Sequence, residues 1–291
     1  MKEITNELFD GFRNHRRAIR ISMWSVFAVC VVLMVVASFA DYRLMTIALH
    51  GDEWWSWWLQ DWGEWPALLI NVGAPFVLAV WLVRRKKYLW AILPIAFGMI
   101  FGYFFSRSVL DIYTQWVRFA ILFAMLAVIV GALIRVSNWV MGRVLYLSTL
   151  TFTITNLVYF VMLFFKWLWG RVRPRDYFAG NGEFSHWFVI NGPNGHEAFF
   201  SGHVLSALSL CFAFLIPIIF KIKNKFVIAL CFVLPIFYSV SMMRGRMVTG
   251  AHYLSDVVFS VIALGWITVW SFMILNKIMN KKKAPTNAEA N

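Results

Sequence analysis

The sequence predicts an all-α polytopic membrane protein, a bundle of about eight transmembrane helices, and three observations carry that expectation. Of 291 residues, 61% are hydrophobic and 18% aromatic, while only 14% are charged. A soluble domain cannot hide so much apolar surface, because its accessible area grows too fast relative to its core. The apolar residues fall in runs close to the roughly 20 residues that cross a bilayer. The basic residues, which give a net charge of +13, gather in alternate turns between those runs.

The runs lie at about 18–40, 66–83, 88–106, 117–135, 144–166, 198–219, 226–243 and 256–277. Only Ser106, Arg107 and Asp111 divide the third from the fourth. "FRNHRRAIR" precedes the first run, "RRKK" follows the second, and Arg135 and Arg143 flank the turn after the fourth. "KIKNK" follows the sixth run and "NKKK" the eighth. A chain that threads back and forth puts all of these on one side. The positive-inside trend makes that side cytoplasmic, with both termini on it. The basicity is then topology rather than a polynucleotide footprint, and no nucleic-acid partner is expected.

Residues 41–65, "DYRLMTIALHGDEWWSWWLQDWGEW", are tryptophan-rich and acidic. Indole rings favour the membrane–water boundary, so the segment reads first as an interfacial helix anchoring the first hairpin. A lipid-gating lid is the alternative. "ASFA" at 37–40 has the spacing of a signal-peptide cleavage site, but the preceding run is too long, which favours an uncleaved anchor. Cys30, Cys211 and Cys231 all fall within apolar runs and read as buried thiols, with no disulfide framework or metal spacing.

Some polar residues have no topological reason to be where they are, and they share one side. "FKWLWGRVRPRDYF" leaves the fifth run with Lys166, Arg171, Arg173 and Arg175. "FFSGH" opens the sixth, and "MRGRMVTGAHYLSD" joins the seventh to the eighth with Arg244, Arg246, His252 and Asp256. Each has a plain reading. Lys166 can snorkel, Arg173-Pro174 can be a helix exit, and Ser201 can cap its helix. His252 and Asp256, four apart, can be a structural hydrogen-bonded couple. Together they supply cations, helix-start amides and two histidines on one face of a membrane. Arg and Lys bind phosphate oxygens, a helix N-terminus favours the same anion, and Gly202 lets backbone come close. Two imidazoles can divide nucleophile and acid duties. That set suits phosphoryl transfer without a metal or other cofactor.

With these residues in register, the chain resembles the type 2 phosphatidic acid phosphatase superfamily. Its three-part signature is K-x-x-x-x-x-x-R-P, P-S-G-H and S-R-x-x-x-x-x-H-x-x-x-D. "KWLWGRVRP" carries the first part from Lys166 to Pro174. "FSGH" carries the second, with Phe200 in place of proline, and "GRMVTGAHYLSD" the third, with Gly245 in place of serine. The resemblance implies a nucleophilic His252, an Asp256 that holds its other ring nitrogen, and His203 as general acid and then base. It implies that Lys166, Arg173, Arg246, Ser201 and Gly202 bind the phosphate. It implies a six-helix phosphatase core, with an extra hairpin accounting for eight runs.

The expected organisation is N-terminal transmembrane helices with the Trp-rich segment over 1–140, the phosphatase core over 141–280 and a polar tail over 281–291. The expected activity is hydrolysis of a lipid phosphate monoester or pyrophosphate at the outer face of a bacterial cytoplasmic membrane. Undecaprenyl pyrophosphate, phosphatidylglycerophosphate, phosphatidic acid and lipid A phosphates all fit the family. A lipid phosphotransferase using the same intermediate, and a non-catalytic transporter or scaffold, are the competing classes. Loop residues 176–197 are expected to cover the site, with Trp187 a candidate for lipid entry and His196 or Glu197 for headgroup contact.

Overall fold

The computed structural model describes residues 2–48, 53–109 and 114–281. The linker acid Asp111 and the tail from 282 onward lie outside them. Among the described residues the chain is helical and without strands. In order it forms α1 (Lys2–Asn14), α2 (Arg16–Ala48), α3 (Trp54–Trp62), α4 (Trp65–Arg84), α5 (Tyr88–Val109) and α6 (Gln115–Arg135). Then follow α7 (Asn138–Trp169), α8 (Pro174–Phe178), α9 (Gly202–Leu208), α10 (Ile216–Ile219), α11 (Lys225–Val248) and α12 (Leu254–Lys281). A 3-10 stretch, Ser209–Leu215, joins α9 to α10.

Every predicted run coincides with helix except the start of the sixth, where residues 198–201 precede a helix that begins at Gly202. Six stretches are long and apolar enough to cross a membrane: Arg16–Ala48, Trp54–Arg84, Asn138–Phe178, Gly202–Ile219, Lys225–Val248 and Leu254–Asn280. Tyr88–Tyr103 and Leu126–Arg135 are shorter apolar helices. The outward faces keep large apolar residues exposed, among them Val32 and Phe39 on α2, Phe160 on α7 and Phe237 on α11. A helix apolar on all sides belongs in a bilayer. The molecule is a multi-pass helical membrane protein.

The core joins both halves of the chain. α2 packs along α12, α4 along α7 and α9, and α3 against α11. α5 packs chiefly on α4. Phe200, in place of the family proline, is fully buried among Phe165, Phe199 and Phe259. That aromatic cluster clamps the start of α9 between α7 and α12.

The two ends of the bundle differ. At one end the Arg143 guanidinium donates to the Glu7 carboxylate at 2.8 Å and to the Ile219 carbonyl at 2.6 Å, and Lys221 also pairs with Glu7. The other end gathers the C-termini of α2, α7 and α11 with the N-termini of α9 and α12. All the signature residues are there.

Candidate active site

Local sequence chemistry places each site residue. α7 ends because Gly170 adopts a left-handed conformation, φ +51°, and its N–H returns to the Lys166 carbonyl. A Cβ there would meet the Gly192 carbonyl oxygen at 2.0 Å, so only glycine fits. That turn leaves Lys166 in the last turn of α7 and sends Arg171 to Arg173 off in an extended strand-like path. Pro174 then opens α8, with Arg173 as its cap residue.

The α11–α12 connection is equally determined. The N–H groups of Ala251 and His252 both donate to the Arg246 carbonyl at 3.1 Å. Gly250 sits at φ +63° between them. Arg246 and His252 are thereby held a fixed distance apart. Asp256, in the first turn of α12, reaches back to accept the Tyr253 N–H at 2.9 Å, the reciprocal half of a capping box.

His252 is nearly unexposed, at 4%. Its Nδ1 lies 2.7 Å from the Ala198 carbonyl, which can only accept, so Nδ1 carries the proton and Nε2 is left with its lone pair. Burial first, then the Arg246 and Lys166 cations, hold this imidazole well below its ordinary range. It is neutral at pH 7, as a nucleophile must be.

Here the structure corrects one expectation. Asp256 does not hold the ring nitrogen of His252; its Oδ2 stands 3.6 Å away, outside hydrogen-bond distance. The short bond goes to Ala198, and the nearest cation to Asp256 is Arg171 at 2.6 Å. The Asp256 carboxylate is fully buried and saturated by Arg171 and the Tyr253 N–H. It faces the His252 ring without a hydrogen bond to it.

Lys166 and Arg173 flank a single carboxylate, Glu197, each at 3.9 Å. Arg246 donates to the Gln60 side-chain oxygen at 3.3 Å. The Nε atoms of Arg173 and Arg246 are buried without a hydrogen-bond partner among the described residues. Buried guanidinium donors without acceptors are costly, and an anion is the acceptor that suits them.

Ser201 caps α9: its Oγ accepts from the Val204 N–H at 3.4 Å, while its own N–H lies 3.1 Å from the Ser260 Oγ. The plain capping role is therefore filled, and the hydroxyl is fully buried. Gly202 follows at the first helical position, and a Cβ on it would press the Met162 sulfur at 3.1 Å.

His203 has both ring nitrogens facing acceptors. Nε2 is 3.1 Å from the Gln60 carbonyl and Nδ1 is 3.2 Å from the Glu64 carboxylate. The Gln60 carbonyl can only accept, so Nε2 carries a proton, and the Glu64 carboxylate stands at ion-pair distance from Nδ1. Gln60 and Glu64 come from the Trp-rich segment, which forms α3 with Ser56 and Leu59 buried while Trp54, Trp57 and Trp58 stay exposed. Sequence reasoning missed them, since nothing in "WWSWWLQDWGEW" marks a partner for His203. It also missed Ala198, whose part is played by its backbone, and Asp41, whose only signal was an acid at the end of an apolar run.

Gly245, in place of the family serine, lies under α3. A Cβ there would touch Trp55, Leu59 and the Ser56 backbone at 3.4 to 3.6 Å. The departure accompanies the close approach of α3 to α11. Of the loop candidates, Trp187 donates its indole N–H to Ser38 on α2 at 2.9 Å and packs against the core.

Comparison with known proteins gives one finding and two blanks. No curated protein matches the chain, and no solved structure does. The family model for the PAP2 superfamily matches residues 145–280, a segment that contains every signature residue from Lys166 to Asp256. Members of that superfamily are phosphatases, which supports a phosphoric-ester hydrolase in general. What the chain resembles from residue 145 to residue 280, then, is the PAP2 superfamily.

Proposed function

We propose that the protein is an integral membrane lipid phosphatase that hydrolyses a phosphate monoester or pyrophosphate through a phosphohistidine intermediate at His252. The observation that carries this reading is the state of that histidine. It is buried and neutral, its proton is fixed on Nδ1 by Ala198, and Lys166, Arg173 and Arg246 surround it.

The steps follow from those groups. The phosphate oxygens take the place of Glu197 on Lys166 and Arg173 and of Gln60 on Arg246, and they supply the acceptor that the two orphaned Nε donors lack. The Gly202 N–H and the N-terminal end of α9 add to the anion's stabilisation, with Ser201 shaping that turn. The Nε2 lone pair of His252 forms a bond to phosphorus as the phosphorus–oxygen bond to the lipid breaks. His203 gives the departing oxygen a proton. Asp256 offsets the positive charge that develops on the His252 ring. His203, now neutral, takes a proton from water, whose oxygen attacks the phosphohistidine and frees both phosphate and His252.

The substrate is a lipid because the site lies at one end of a membrane bundle. The basic turns fall at the opposite end, beside α1 and the C-terminus of α12, which favours a site on the outer face of the cytoplasmic membrane with both termini inside. Residues 1–140 supply α3 and α4, and with them the partners of His203. No metal is required by any of these steps.

The test is phosphate release by the purified protein in detergent, from undecaprenyl pyrophosphate, phosphatidylglycerophosphate, phosphatidic acid and a lipid A phosphate in parallel. Release from one of them that vanishes in His252→Ala and survives a chelator is the expected result. Release that persists in His252→Ala would overturn the phosphohistidine step.

A further inference from the structure

Behind His252 lies a buried charge cluster in which Asp256 of the signature meets two residues that are not among its fixed positions, Arg171 and Asp41. Arg171 is wholly unexposed, and so, at 0–2%, are Asp41 and Asp256. The Arg171 guanidinium donates one NH1 bond to Asp256 at 2.6 Å and another to the Ser255 Oγ at 2.7 Å. Its NH2 donates to Asp41 at 3.0 Å and its Nε to the Ser185 carbonyl at 3.0 Å. The plane also lies over the Tyr253 ring, 3.9 Å from its centroid.

Asp41 comes from α2, outside the matched domain, and it receives only donors. Its Oδ1 accepts the Ser255 N–H at 3.1 Å, and its Oδ2 accepts the Ser255 hydroxyl as well as Arg171. A carboxylate met only by donors is ionised. One guanidinium thus serves two carboxylates, and the cluster keeps a net charge of −1. Arg171 cannot neutralise Asp256 fully while Asp41 shares it.

We propose that Asp41 is a positioning residue for the nucleophile: by drawing on Arg171 and gripping Ser255, it leaves Asp256 with unspent negative charge 3.6 Å from His252. That charge opposes the cations that face His252 from the other elements, Lys166 on α7, Arg173 at the α8 cap and Arg246 on α11. It matters most when Nε2 bonds to phosphorus and the ring turns cationic. The inference rests on His252 being the nucleophile.

Asp41→Asn keeps the shape and removes the charge. Expected is a fall in kcat of about 10- to 100-fold with KM within about twofold, since the lost interaction belongs to the transition state. The acid limb of kcat/KM should also move to lower pH, because His252 loses a neighbour that favours its protonation. His203 and the three cations stay as they were, so they cannot produce that shift. Adding Arg171→Gln restores a net charge of −1, and the pair should recover the wild-type acid limb and part of kcat. Asp41→Asn leaves Arg171 and Asp256 as a neutral buried pair, whereas the double variant leaves Asp256 without its cation. Should either fail to fold, Ser255→Ala keeps every charge and loosens the grip on Asp41. It should lower kcat with the acid limb unmoved, and an unchanged kcat there would overturn the proposal.

Unchanged kcat and an unmoved acid limb in a folded Asp41→Asn, or a double variant with no recovery, would overturn the proposal. His252→Ala measured alongside separates the two questions. If it stays active the nucleophile reading fails, whereas an inactive His252→Ala beside a fully active Asp41→Asn sinks only the role of Asp41.

Discussion

Two arginines are buried at opposite ends of this bundle, and each lies over an aromatic ring. Arg143 is 3% exposed, 4.2 Å from the Trp139 centroid, and bonds one carboxylate and one carbonyl. Arg171 is fully buried over Tyr253 and bonds two carboxylates. The difference lies in what each partner can do without its arginine. Glu7 keeps Lys221 at 2.8 Å and partial access to water. Asp41 and Asp256 have no other cation within salt-bridge distance among the described residues. One arginine ties α1 to the bundle; the other makes it possible to bury two acids beside His252.

Breaking each pair should therefore give unequal results. Arg171→Leu strands two carboxylates and should cost about 3–5 kcal/mol, with phosphate release abolished. Arg143→Leu loses charge-assisted hydrogen bonds only, about 1–3 kcal/mol, and should leave phosphate release per folded molecule intact. Thermal unfolding in detergent, read beside activity, checks both. Equal losses of activity would mean that the two ends are not functionally distinct.

Acid sharpens the same contrast. The hydrogen bond from Arg143, then that from Lys221, holds Glu7 below its ordinary 4.5. A depressed carboxylate contributes stability that is present above 4.5 and is lost as pH falls through its folded value. His252 is depressed too, but as a base. Its unfolded form takes a proton near 6.5 while the folded form does not, so stability declines as pH drops below 6.5. Both losses run in the same direction, His252 first. On the proposed mechanism a neutral His252 persists below 6.5, so the acid limb of kcat/KM should lie beneath that value. A limb at or above 6.5 would contradict a buried, cation-flanked His252. Arg143→Leu should shrink the Glu7 limb of the stability curve to the part that Lys221 supplies and leave the His252 limb unmoved.

How far the sequence could be read depends on the kind of contact. Helices were legible because apolar runs act locally; the exit itself comes earlier than the Arg173-Pro174 pair that could have marked it, since Gly170 ends α7 and Pro174 opens α8. The signature residues converge because their spacing on α7, α9, α11 and α12 fixes which end each occupies. What stayed hidden are contacts made across more than a hundred residues by groups with no pattern of their own. Asp41 meets Ser255 at a separation of 214 residues, and Gln60 meets His203 at 143. Ala198 was beyond reach for another reason: a backbone carbonyl has no letter. The sixth run was also mistaken in detail, since Ala198 to Phe200 precede the helix, which starts at Gly202. Apolar character alone cannot separate a buried extended segment from a helical one.

The smallest effect comes from the place where the chain departs from the family signature. Gly245 lies within α11, and its would-be Cβ meets Trp55, Leu59 and Ser56 at 3.4 to 3.6 Å, ordinary contact distances. Alanine should therefore fit without moving α3. It removes the cost of a glycine in a helix interior, about 1 kcal/mol. Gly245→Ala should raise the unfolding temperature slightly and keep phosphate release within about twofold. A larger loss of activity would show that α3 has to approach α11 more closely than it does here, and that the partners of His203 on that segment depend on the glycine. Because Arg246 follows directly, the same measurement asks whether loosened backbone beside that cation matters to catalysis. The packing says that it does not: α3 and the Arg246 carbonyl, which holds both Ala251 and His252, fix that turn from two sides.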